Sequence, residues 1–448
     1  MNGPLSGIRV IDSTTMVAMP TATHILGDMG AEVIKIENHL SPRGEAGTFP
    51  DNDPGVRSWD REGNFNAVQR SKLGITLNLR SDEGIATFKE LARVSDVIVE
   101  NNRAGSMDRL GLGYEDLRQE KPDLIYMSNT GFGYTGPWRQ YAGIGRMFEL
   151  TCGLSQFTGY PDEGPRRVGS SFFDLHVGWT AVFAILSALL YRRETGRGQW
   201  IDFAMYQIGA STMGDAILDF VANNRNGSLK GNRHPYFAPH GVYPCKGDDK
   251  WIAIAVENDQ QWFSLSRVMG NPSWAQDDKF SDAFSRWKNQ DELDEQLRQW
   301  TKDYENLELH EQLQGGGVPA GPVLNNKELF LDPHVKERGF YEKITHDADL
   351  EIGARYYFGR AWKMSKTPAF IRRPGPTLGQ HNEFVFAELL GLTEDQVDEM
   401  YELNVTANEP LNPRPPNPPT SLEKQVEDGT LAGYDLDYME TLELEQDE

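Results

Sequence analysis

A repeated alternation of short apolar runs and helical stretches constrains this chain more than any other feature. Residues 8–11 are a short apolar run, residues 21–29 suit a helix stopped by Gly30, and residues 33–36 are a second run. The pattern continues with a strand at 75–79, Ser81 as N-cap of a helix over 82–94, a strand at 96–100, a helical stretch near 114–119 and a strand at 124–128. A hydroxyl and acidic residues at a helix start, and glycine at its end, suit the unpaired backbone groups there. Strands alternating with helices are joined by crossovers, which make a parallel sheet covered by helices. The expected fold class is α/β.

The chain has 448 residues, more than one ordinary domain, so two or three are expected. Residues 177–190 form its most apolar stretch. They are too few to span a bilayer and read as a buried helix that ends near Gly196. A strand over 199–204 follows. Residues 223–232, NNRNGSLKGN, are rich in turn formers and make a candidate linker. Beyond it, 241–245 and 251–256 read as a hairpin through Lys246-Gly247-Asp248-Asp249. Helices rich in Trp and charge run on to the glycines at 315–317. This region is expected to be a second, smaller α+β domain. Apolar character returns from Tyr357, with a helix over 383–390. The proline-rich stretch 410–420 cannot continue a helix. Residues 401–448 hold 12 Asp and Glu against 2 Lys and Arg, and this tail reads as an extended arm on the surface.

Several function classes are excluded. A net charge of −23 argues against nucleic-acid binding, which needs basic surface. The turn after the first strand, Asp12 to Pro20, has no glycine and cannot close as a dinucleotide-binding G-x-G-x-x-G turn. A phosphate-binding G-x-x-x-x-G-K-[ST] is absent too, and no histidine or cysteine cluster suggests a metal. Two distant cysteines, Cys152 and Cys245, argue for a reducing compartment. The N-terminus shows no secretory pattern. A cytoplasmic protein without a membrane partner is expected.

The stretch PLSGIRVIDSTTMVAMPTATHILGDMGAEVIKIE at 4–37 resembles the N-terminal signature of the family III CoA-transferases, the CaiB–BaiF family. Further resemblances keep the family's order: VENNRAGSMDRLGLGYEDL at 99–117, SNTGFGYTGP at 128–137, VGSSFFDLHVGWTAVFAILSALLYRRETGRGQWID at 168–202, APHGVYPCKGDDKWIAIAV at 238–256, GVPAGPV at 317–323 and PTLGQHNEFV at 376–385. This family includes formyl-CoA, carnitine and benzylsuccinate CoA-transferases. The resemblance implies a Rossmann-like large domain at 1–224 and 340–400, a small domain with linkers at 225–339, and a tail at 401–448 outside the family pattern. It also implies an interlaced homodimer, or a heteromer with a related subunit.

The same resemblance assigns the site. Asp174, by pattern alone a helix N-cap, takes the position of the family's nucleophile. It would carry CoA from an acyl-CoA, with succinyl-CoA the expected donor, to a free carboxylic acid, aromatic or dicarboxylic, through an aspartyl-CoA thioester. CoA thioester is then a substrate, with no tightly bound cofactor. Met16, Val17, Ala18, Lys72, Asn101, Asn102, Met107 and Arg109 are expected along the nucleotide path. Gly131 and Gly133 are candidate oxyanion-loop residues, because glycine lets backbone N–H groups approach closely. Arg146 is a candidate anchor for a second carboxylate, and Met16, Met19, Trp138, Phe172 and Phe173 for an apolar acyl pocket. The sequence departs from the family at Gln69–Gly74, at Pro42–Glu45 and at Asn38. The sister activity, α-methylacyl-CoA racemisation, needs a histidine in the window 142–147. None is there, and His176 is not at the family position, so transfer is favoured.

Overall fold

The computed structural model describes residues 3–40, 48–169, 171–413, 416 and 418–444. Along its larger part run β1 (Arg9–Ser13), α1 (Ala18–Asp28), β2 (Glu32–Glu37), β3 (Lys72–Thr76), α2 (Asp82–Arg93), β4 (Val97–Glu100), β5 (Ile125–Thr130), α3 (Gly145–Thr151), α4 (Phe172–Thr195) and β6 (Gln199–Ala204). The strands form one sheet in the order β3-β2-β1-β4-β5-β6, with every neighbouring pair parallel. The expected α/β class is the observed one, and Ser81 does cap α2, its Oγ accepting from the Gly84 N–H at 3.0 Å.

Alternation along the strands divides the core into two layers. Val10, Val33, Val97, Val99, Ile125 and Met127 pack with α1 and α4. Ile11, Ile34, Ile75, Ile98 and Tyr126 pack with Phe88 and Leu91 of α2 and with Val385, Phe386, Val397 and Met400 from the C-terminal return. All of α1 is buried, because it lies between the sheet and α4. Gly178 allows this: a Cβ there would stand 2.6 Å from the Ala18 carbonyl oxygen.

Helix α4 ends before Gly196 as expected, but it is not the wholly buried helix its apolar run suggested: only one side of it is covered. Val177, Gly178, Ala181, Val182, Ile185 and Ala188 are buried, while Phe183 is 73% exposed and Leu190 and Tyr191 are also exposed. Among the described residues it is the one helix long and apolar enough to cross a membrane.

The chain divides into two units, one of Met1–Cys152, Val168–Gly214 and Arg338–Glu448, the other of Gly153–Arg167 and Asp215–Glu337. The second unit holds an antiparallel sheet of β7 (His240–Pro244), β8 (Trp251–Ala255) and β9 (Ala320–Val323) in sequence order. Its core gathers Tyr243, Ile252, Ile254, Trp262, Leu265, Phe280, Leu293 and Leu313.

The tail is not the extended arm that its composition suggested. It packs on the first unit through named contacts. The Asn78 N–H donates to the Val405 carbonyl at 2.8 Å, and the Ala407 N–H to Thr76 Oγ1 at 2.9 Å. The Leu411 N–H reaches the His39 carbonyl at 2.9 Å. Helices at Leu422–Glu427 and Tyr438–Thr441 follow, and Tyr438 hydrogen-bonds Asp51, which also pairs with Arg355 at 3.1 Å.

Candidate active site

Helices that connect parallel strands run against them, so α1, which follows β1, and α4, which leads into β6, both start at the C-terminal edge of the sheet. Asp174 lies in the first turn of α4. It is the third residue of the helix and not its N-cap, a role that falls to Ser171. This corrects the pattern-based reading. The carboxylate sits within the turn whose unpaired N–H groups carry the positive end of the helix dipole. It rests on the backbone of Gly145, the first residue of α3. A Cβ at Gly145 would come within 2.3 Å of both Asp174 carboxylate oxygens. One turn further along α4, Gly178 touches Ala18 at the start of α1. The carboxylate is therefore one helical turn from the place where α4 meets the loop that carries Met16, Val17 and Ala18.

That loop is held by a buried ionic cluster at the end of β1. Asp12 is paired with Lys72 at 2.8 Å and Lys35 at 3.7 Å. It also accepts from the Thr14 N–H at 3.0 Å and the Thr23 hydroxyl at 2.6 Å. Burial alone would raise the Asp12 carboxyl, but Lys35 and Lys72 outweigh it and hold the group well below the usual range. Lys35 donates in turn to the Thr14 carbonyl. Asp12 and Lys35 were not singled out in the sequence. The signal was there, since each puts a charge inside an apolar strand.

Lys72 is therefore not on an accessible path. It is 0% exposed and its ammonium donates to Asp12, to Gln69 Oε1 at 2.6 Å and to the Pro20 carbonyl at 3.2 Å. Burial lowers its pKa to about 8 against the pull of Asp12. Met107 likewise lies in the core beside Leu112 and Phe88. The other expected nucleotide residues stand at the loops after β1 and β4, where the strand order reverses. In sheets of this topology the crevice between those loops is the usual ligand site. Asn101 bridges it: its Oδ1 accepts from the Thr15 N–H at 2.8 Å and its Nδ2 donates to the Thr15 carbonyl at 2.9 Å. Met16, at φ +68° and 78% exposed, projects from one side. Arg109 is exposed on the other, its guanidinium donating to the Ser106 hydroxyl at 3.1 Å. Asn102 turns its N–H and its amide toward Glu100.

Two donors of the loop after β5 are spent within the fold. The Gly133 N–H donates to Thr130 Oγ1 at 2.8 Å, and the next N–H, of Tyr134, to Asp202 at 3.0 Å. Gly133 is needed for its φ of +93°. Gly131 makes room for the Phe148 ring, which a Cβ would meet at 2.3 Å. Phe132, Trp138, Tyr141, Phe148 and Tyr206 cluster here, with Phe132 5.0 Å from Phe148 and 5.5 Å from Trp138 between ring centres. Of the residues expected in an acyl pocket, Met19 and Phe173 are buried in the core, while Met16, Trp138 and Phe172 are exposed. Arg146 follows Gly145 directly. It is exposed, and no ion pair or hydrogen bond engages its guanidinium among the described residues. His176 stacks on Phe172 at 6.4 Å. Of the departures from the family pattern, Gln69 supports Lys72 and Asn38 accepts from the Leu40 N–H at 3.0 Å. Residues 42–45 lie outside the described residues.

Comparison with known proteins gives this arrangement a family. A family model described as CoA-transferase family III matches residues 5–382. The succinyl-CoA–D-citramalate CoA-transferase of Chloroflexus aurantiacus is 36% identical over 401 residues, covering 88% of this chain and 96% of that protein. The succinate–glutarate CoA-transferase of Agrobacterium fabrum is 34% identical over 391 residues, with 86% and 96% covered. The crystal structure of a CAIB/BAIF family protein from Brucella suis is 31% identical, with a TM-score of 0.78 over 87% of this chain and 100% of that one. Sheet order, motif order and relatives agree, and the chain belongs to family III of the CoA-transferases.

Proposed function

We propose that this CoA-transferase moves CoA from succinyl-CoA to a second dicarboxylic acid through a covalent intermediate on Asp174. The observation that carries the reading is the seat of the Asp174 carboxylate on Gly145, in the first turn of α4 and next in sequence to the unengaged Arg146. The carboxylate attacks the thioester carbonyl, forming a mixed anhydride and releasing CoA thiolate. The thiolate then attacks the Asp174 acyl carbon. This gives aspartyl-CoA thioester and frees the donor's carboxylate. The acceptor acid repeats both steps in reverse and leaves Asp174 as it began. Each step exchanges one activated acyl group for another, so none needs an outside energy source. The amino end of α4 favours both the ionised carboxylate and the oxyanions that form beside it.

The acyl chemistry is read from Arg146 and from the relatives' names. Those relatives act, by name, on succinyl-CoA with citramalate, glutarate, mesaconate or malate, each with two carboxylates. A guanidinium on the residue that follows Gly145 suits the far carboxylate of such an acid. Met16, Val17, Ala18, Asn101, Asn102 and Arg109 are the residues we assign to the CoA path. Hydroxylamine added after the acyl-CoA is expected to leave a modified Asp174 in the peptide mass map. Asp174→Ala is expected to lose at least about 10³-fold in exchange. Near-normal exchange by that variant would refute the covalent route. Arg146→Ala is expected to raise KM for dicarboxylates and not for monocarboxylates of similar length. A uniform effect on both would remove Arg146 from substrate binding.

We further propose that two copies of the chain assemble as an interlaced homodimer in the cytoplasm. The exposed apolar side of α4, with Trp179, Phe183, Leu190 and Tyr191, supports self-association, and the free Cys152 and Cys245 suit a reducing compartment. The succinyl-CoA–L-malate enzyme of Chloroflexus aurantiacus has alpha and beta subunits by name, which keeps a heteromer as the alternative. The mass of the intact assembly, purified from its own cells, separates the two.

A further inference from the structure

Glu100 ends β4 at the point where the strand order reverses, and it is 0% exposed. It forms no ion pair among the described residues, and polar groups from three segments surround it. Its Oε2 accepts from the Asn102 N–H at 2.7 Å and from Asn102 Nδ2 at 3.3 Å. Its Oε1 lies 3.5 Å from the Tyr134 hydroxyl. Ser128 of β5 lies near it and favours its ionised form. The Ser128 hydroxyl oxygen accepts from Trp200 Nε1 of β6 at 3.1 Å. The Tyr134 backbone N–H is held by Asp202. One buried carboxyl thus joins the loop after β4, through Asn102, to the loop after β5, through Tyr134.

We infer that Glu100 is a positioning residue for the transfer reaction, locking the loops 101–109 and 131–137 to each other across the CoA crevice through its two carboxyl oxygens. This rests on the reading that these loops line the CoA path. Glu100 touches no reacting atom. Its carboxylate form accepts charge-assisted bonds from the donors around it, whereas its protonated form keeps only weaker neutral ones and holds Tyr134 only if that hydroxyl turns to accept. The titratable groups that face it are Asp108 from its own loop and Tyr126 and Tyr134 from β5 and the loop beyond. Burial raises the Glu100 carboxyl to about 7, with Asn102 and Ser128 opposing and Asp108 adding to the rise. The lock is therefore complete above neutrality and loosens as pH falls through that value.

The test is the pH profile of kcat/KM for acyl-CoA, in the wild-type enzyme and in Glu100→Gln. The wild type is expected to show an acid limb near pH 7. Glu100→Gln is expected to lose that limb and to raise KM for acyl-CoA about tenfold, as one buried hydrogen bond would, with kcat changed less. Ser128→Ala provides a second reading should the first variant fold poorly. Removing a group that favours the charged form is expected to move the limb to higher pH. A Glu100→Gln enzyme that keeps the wild-type limb, or a Ser128→Ala enzyme whose limb stays in place, overturns the inference. If the limb is lost but KM rises for the acceptor acid in place of acyl-CoA, Glu100 keeps its role and the assignment of these loops to the CoA path is what fails.

Discussion

The position of one carboxylate is set by one missing side chain. Asp174 has room only because residue 145 lacks a Cβ. That atom would lie 2.3 Å from both carboxylate oxygens, well inside contact distance, so Gly145→Ala must push either Asp174 or the start of α3 aside. Displacement of a nucleophile by about 1 Å commonly costs on the order of 10²-fold in rate. Gly145→Ala is therefore expected to lose about that much exchange activity while unfolding within a few degrees of the wild type. A variant with wild-type activity would show that Asp174 reacts from another position. The residue scale is also where the sequence was legible in part. Asp174 stood out through the motif around it, but pattern alone made it a helix cap, because a carboxylate at the start of an apolar run reads the same at either position. Lys72 reads as a phosphate ligand in a motif. Only the fold reveals that its ammonium is spent on Asp12, 60 residues away in sequence. Gly133 stands where a donor loop was expected, yet its N–H is committed to Thr130, a local closure that composition does not disclose.

At the scale of elements, the contact between α1 and α4 does the positioning. The two helices are parallel, both start at the C-terminal edge of the sheet, and Gly178 lets their backbones touch at Ala18. A side chain at 178 would meet the Ala18 carbonyl at 2.6 Å and Thr21 Cβ at 2.8 Å, backbone and a branched side chain in a packed core. Gly178→Val is expected to destabilise the protein by about 1–3 kcal/mol and to lower exchange activity, although Asp174 itself is untouched. Urea unfolding and steady-state kinetics read the two effects separately. Full activity at reduced stability would mean that the helix pair supports the fold but not the site. The elements themselves were readable wherever period and punctuation agreed, as in β1, β2, the Ser81-capped α2 and the hairpin of β7 and β8. Which side of α4 is covered was not. Its apolar run lacks the contrast between faces that would show which side is buried. Strand β9, Ala-Gly-Pro-Val, is made of poor strand formers and is held by pairing with β8, a long-range contact that overrides local preference.

For the whole molecule, two opposing influences act on stability as pH falls. The net charge of −23 means self-repulsion at neutral pH, and acidification relieves it. Against this, the first unit buries neutral histidines. Burial, helped by neighbouring arginines, holds His24 at about 3 and His346 and His381 at about 4. In the unfolded chain each takes a proton near pH 6.5 that the native protein refuses. Between those limits the unfolded state binds more protons, and stability falls as pH falls. Glu100 and Glu342, raised by burial, work the other way, since the native state holds their protons at pH values where the unfolded state has released them. Three histidines against Glu100, with Glu342 acting in the same sense as Glu100, leave a net uptake on unfolding below about pH 6, where the histidines stay neutral in the native state. The sequence-wide charge favours a melting temperature that rises on acidification, whereas the buried groups favour one that falls. Because the acidic excess is weighted toward the tail, where it is spread over an exposed and hydrated surface and screened by salt, the buried groups should prevail at physiological ionic strength. The melting temperature is expected to drop from pH 6.5 to pH 5, and His346→Gln to flatten that drop by up to about one proton in the linkage slope. A melting temperature that climbs over the same interval would show that surface repulsion, and not the neutral histidines under the sheet, governs how this protein responds to acid.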